Sequence, residues 1–65
     1  MNGDYTRWVR EIIYRIGVNQ LLFIAAEVIG QRADDVEADS ATASALRELA
    51  LGVEVLAIRA QRAGL

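Results

Sequence analysis

The chain has 65 residues, nine acidic and seven basic side chains, a formal net charge of −2, and neither Cys nor His. Disulfides, thiolate chemistry and most transition-metal sites are thereby excluded, and the mild acidity (pI about 4.9) is the wrong sign for a general nucleic-acid binder. A chain this short buries a small fraction of its surface, so without disulfide or metal its remaining route to stability is association.

The N-terminus, MNGDYTRWVRE, lacks the basic-then-apolar order of a secretion signal, and Met1 to Gly3 are expected to be loose. Asp4 is the expected N-cap of helix 1, with Asn2 as the alternative. Helix 1 is expected over about 4–32. Its centre, IIYRIGVNQLLFIAAEVI, does not alternate and therefore reads as helix and not strand. The charge-free run within it extends only from Ile16 to Ala26 and contains Asn19 and Gln20, which is short for a bilayer span of about 20 residues. On a helical wheel Tyr5, Trp8, Val9, Ile12 and Ile16 share one side, opposite Asp4, Arg7, Glu11 and Arg15. Beyond Gly17 the pattern inverts: Val18, Leu21, Leu22, Ala25 and Ile29 cover the formerly charged side. Gly17 is therefore the expected place for a close backbone approach or a slight bend, and Gly30 a candidate stop.

The turn is expected at about 33–39, within the acidic segment RADDVEADS, with Asp39 or Ser40 capping the second helix. Asp35, Glu37 and Asp39 have the spacing of the first three ligands of a calcium loop. Ser40 stands where such a loop needs Gly, and Leu46 where it needs a bidentate acid, so a solvated capping loop is the better reading.

Helix 2 is expected over about 40–62. Thr42, Leu46, Leu49, Val53, Leu56 and Ala60 make a 3-4 stripe expected to face helix 1, which places Leu49 in the hairpin core. A second stripe, Leu51, Val55 and Ile58, lies nearly opposite. The tail from Ala63 to Leu65 is expected to fray. Two helices with a short connection predict one all-α domain over residues 1–65, an antiparallel hairpin. Two apolar surfaces on each helix predict its assembly as a homodimeric four-helix bundle or a larger helical oligomer.

Residues 1–15 carry +1, residues 16–39 carry −4 and residues 40–65 carry +1. A straight hairpin would gather Arg7, Arg10, Arg59 and Arg62 at its open end, beside Tyr5, Trp8 and Tyr14. Arginine near aromatics suits an acidic protein surface or a phosphate-bearing ligand; the plainer role is to close the core and keep it soluble. Catalysis has little to work with. Ser40 and Ser44 lack a base, Glu11 and Glu27 lie on different faces, and no glycine-rich phosphate loop occurs. The expected function is that of a small cytoplasmic, non-enzymatic oligomer that binds and modulates another protein as adaptor or inhibitor. Its contacts are assigned to Leu51, Val55, Ile58, Trp8 and Ile12. A purely structural self-assembling subunit and a binder of a small anionic or nucleotide ligand are the alternatives. No cofactor is expected, and neither nucleic acid nor membrane is the expected partner.

Overall fold

In the computed structural model, which describes residues 3–65, both apolar segments are helical: α1 spans Gly3–Asp34 and α2 spans Ala41–Arg62. The fold is an all-α hairpin, with no strand among the described residues. The helices are joined through residues 35–40, where the Asp35 and Ser40 amides donate to the carbonyls of Arg32 and Glu37. Ser40 is the N-cap of α2: its extended backbone (φ −74°, ψ 153°) lets the hydroxyl accept from the Ala43 amide at 3.0 Å. Ser40→Ala is expected to cost about 1 kcal/mol, read as a lower thermal midpoint at fixed protein concentration. Arg47 steadies the same turn by donating to the Ala38 carbonyl at 3.3 Å. The Arg32–Asp35 pair, at 3.8 Å and largely exposed, contributes little.

Four features differ from the sequence expectation. Helix α1 begins at Gly3, which puts Asp4 in its first turn and not at the cap; Asn2, the other candidate, lies outside the described residues. The helix also runs past Gly30 to Asp34, so the turn starts two residues later than expected.

The second difference is at Gly17. Its φ of 85° and ψ of 163° break the helix outright, in a region of backbone space essentially reserved for glycine. The inverted wheel therefore does not describe one straight helix with opposite buried faces. It describes two helical pieces, an arm (residues 3–16) and an inner segment (residues 18–34), with different surroundings. The inner segment pairs with α2. In the arm every residue is exposed except the half-buried Ile13. A helix the length of α2 spans about 33 Å, which accounts for the long dimension of the 37 × 31 × 14 Å molecule. Two packed helices are only about 10 Å apart, so the 31 Å dimension is the arm, projecting sideways from the hairpin.

Third, the tail does not fray. Gly64 takes a positive φ of 78°. Its amide donates to the Gln61 carbonyl and that of Leu65 to the Ala60 carbonyl, at 3.1 and 2.9 Å. This is the paired closure by which a glycine just past a helix end satisfies the last carbonyls. It also aims the Leu65 carbonyl back at α1, where it accepts from the Asn19 amide at 3.4 Å. The break at Gly17 leaves that amide without a partner in its own helix, and the end of α2 supplies one.

Fourth, the face of α2 against α1 keeps Leu46, Val53 and Ala60 of the expected stripe but not Thr42, Leu49 or Leu56. Ala43, Ala57 and Ala60 are buried, and Leu46, Ala50 and Val53 half-buried. Leu49 and Leu56 are 58% and 50% exposed, and Thr42 is exposed as well. Across the interface Ala26 and Ala33 are the buried residues of α1. Alanine faces let two helices approach closely and gain backbone-to-backbone dispersion contact, which displaces the leucines to the flank.

Candidate functional site

The fully buried residues of this hairpin are alanines, and no large side chain among the described residues is fully buried; Leu21, Leu22, Phe23, Ile29, Leu46 and Val53 are half-buried around them. Other bulky apolar residues are exposed, and three groups of them are set by the helical period. On the arm, Tyr5, Val9, Ile12 and Ile16 accompany Trp8, which is 62% exposed. Tyr5 and Trp8 stand edge to face with ring centroids 5.6 Å apart and planes at 87°, a favoured aromatic arrangement. A small hollow of about 230 Å³ is lined by Trp8, Glu11, Ile12 and Arg15. On α2, Leu51, Val55 and Ile58 form an exposed stripe. On the flank of α2, Ala45, Glu48, Leu49, Gly52, Val53 and Leu56 line an apolar groove of about 740 Å³.

The exposed area is large for the mass. The chain presents 5160 Å² to solvent, whereas a compact monomer of 7.1 kDa presents about 4,100 Å² by the usual scaling. The excess, on the order of 1,000 Å², is comparable to the roughly 800 Å² each partner buries in a stable interface.

The site residues named from sequence fall on these surfaces. Leu51, Val55 and Ile58 share one side of α2, and Trp8 and Ile12 one side of the arm. Arg7 and Arg10 lie on the arm, before the break at Gly17, and Arg59 and Arg62 in the last turn of α2. None of these guanidiniums pairs with another described residue. The acidic turn holds no group of three or more His, Cys, Asp or Glu placed to grip a metal ion among the described residues.

The 3-4 spacing places both leucines of the Leu49–Leu56 groove on the inner face, so the groove has no signature in that stripe. The signal that points to it is Gly52, a helix-weakening residue with nothing within 4 Å of where its Cβ would stand. Close packing inside the hairpin does not require a glycine there.

No family model matches this chain, and neither a similar curated protein nor a similar solved structure was found.

Proposed function

We propose that the protein is a small, non-enzymatic helical adaptor that self-associates and, as an oligomer, binds and modulates another protein in the cytoplasm. The supporting observation is the mismatch between an interior whose only fully buried residues are alanines and the bulky residues left in water. A core of this kind gains little from burial, at roughly 25 cal/mol per Å², while contiguous exposed apolar surface is characteristic of interaction sites. Association with a second copy covers one such surface. The arm face around Trp8 and Ile12, and the Leu51, Val55 and Ile58 stripe, then remain for a partner; Trp, Tyr and Arg, all present on the arm, are enriched at binding hot spots. A purely structural subunit would use all three surfaces for self-assembly. A small-anion site has less support, since no concave cluster holds the arginines together.

Light scattering on the purified protein at micromolar concentration is expected to give a multiple of the 7.1 kDa chain mass. A cooperatively folded monomer at that concentration would overturn the proposal.

One observation favours a second reading. Helix α1 is long and apolar enough to cross a membrane, with an 18-residue window of mean hydropathy 1.6. The Gly17 break weighs against a span, because an interrupted helix ladder leaves backbone groups that hydrocarbon cannot satisfy. Flotation with lipid vesicles separates the readings: an adaptor stays at the bottom of the gradient, whereas a membrane protein rises with the lipid.

A further inference from the structure

The flank groove of α2 is self-complementary about its own midpoint. Leu49 stands three residues before Gly52 and Leu56 four after. Glu48 and Arg59 project from one edge of this surface, an acid towards one end and a base towards the other. If a second α2 is laid antiparallel with the two-fold axis between Gly52 and Val53, Leu49 meets the partner's Leu56 on both sides of the axis. Gly52 then sits at the crossing, where its missing side chain permits close approach. The helical period puts Glu48 and Arg59 on one edge, and the two-fold axis keeps that edge on the same side in both copies, so Glu48 and the partner's Arg59 lie within about one turn of each other. In that pairing the charges are opposite, and the symmetry provides the contact twice.

We infer that the Ala45–Leu49–Gly52–Leu56 flank of α2 is the self-association seam of this protein, and that its occupant is the same surface of a second copy. The inference rests on the proposed self-association and specifies its face. Ile24 and Val28, both exposed large apolar residues, stand two residues either side of the buried Ala26 and so on the opposite side of α1; the seam is formed by α2 alone. The Leu51, Val55 and Ile58 stripe points away from this seam and stays accessible.

The absence of Cys from the chain makes a single engineered one diagnostic. Gly52→Cys lies beside the axis and is expected to form an interchain disulfide under mild oxidation. Leu51→Cys, one residue away but about 100° round the helix, is expected to remain unlinked. Glu48→Arg and Arg59→Glu should each weaken self-association by about tenfold, and mixing the two variants should restore it in a heterodimer, as opposite charges replace like ones across the edge. A monomeric wild-type protein in light scattering would defeat the self-association reading itself. An oligomer that cross-links through Leu51→Cys and not Gly52→Cys, or through neither, or charge variants that do not rescue each other, would overturn this seam alone.

Discussion

Ala57→Leu is expected to destabilise the hairpin by about 1–3 kcal/mol, because the added branched side chain must enter an interface already closed by small residues. Ala57 has no exposed surface and lies in the alanine face of α2, so the two helices must move apart to admit a leucine. The loss should appear at every protein concentration, as lower helicity and a lower unfolding midpoint. Leu49→Arg should behave differently. Its side chain already lies mostly in water, so the charge leaves the hairpin intact and acts through association. The deficit should shrink on dilution towards the range in which the wild-type protein also dissociates, as mass action requires. Circular dichroism melts of both variants over a hundredfold dilution series, roughly, test this contrast. A tolerated Ala57→Leu together with a concentration-independent Leu49→Arg defect would return the leucine stripe to the inner face.

The second large effect concerns Gly17. At φ 85° and ψ 163° an alanine pays about 1–3 kcal/mol in backbone strain, whereas in a helix it is the most favourable residue. The neighbours on both sides are already helical, so Gly17→Ala is expected to relieve the strain by fusing the arm to the inner segment. Trp8 is the only tryptophan and serves as energy donor to an acceptor attached at Asp34→Cys. Fusion would separate the two by about 39 Å of continuous helix, so energy transfer should fall. Diluting the labelled chain with excess Trp8→Phe protein removes transfer between chains. Unchanged transfer with reduced stability would show that the contact between Leu65 and Asn19, and not the glycine, holds the arm in place.

The sequence carries the two helices and the Ser40 cap in plain form: long 3-4 apolar spacing, one polar break, and a hydroxyl before an alanine-rich run. The choice of inner face is another matter. Thr42, Leu46, Leu49, Val53, Leu56 and Ala60 repeat with the same spacing as Ala43, Leu46, Ala50, Val53, Ala57 and Ala60, and the two sets share members. Side-chain hydrophobicity favours the first set, and interhelical distance the second. Only the packed pair shows that close approach prevails. The inversion of apolar pattern at Gly17 marked the position of the break but not its angle, since a slight bend and a full interruption leave the same residues on the same wheel. At the other end, Gly64 is a familiar helix terminator, yet the bond from Asn19 to Leu65 joins residues distant in sequence and has no local signature. The flank groove stayed hidden for the same reason as the alanine face: it consists of the leucines that face displaced.

The exposed arm has a kinetic consequence. A helix of roughly 14 residues with so little buried surface is marginal in water, and its amides should exchange with deuterium far sooner than those of residues 18–34. Whatever binds the arm must therefore pay for winding it as well as for desolvating Trp8, which moderates affinity without loosening recognition. Such a segment captures its target from a wide volume and lets go quickly. In the proposed adaptor this would favour rapid reversal over long occupancy, with the timing of release set by the arm and the persistence of the proposed assembly by the hairpin.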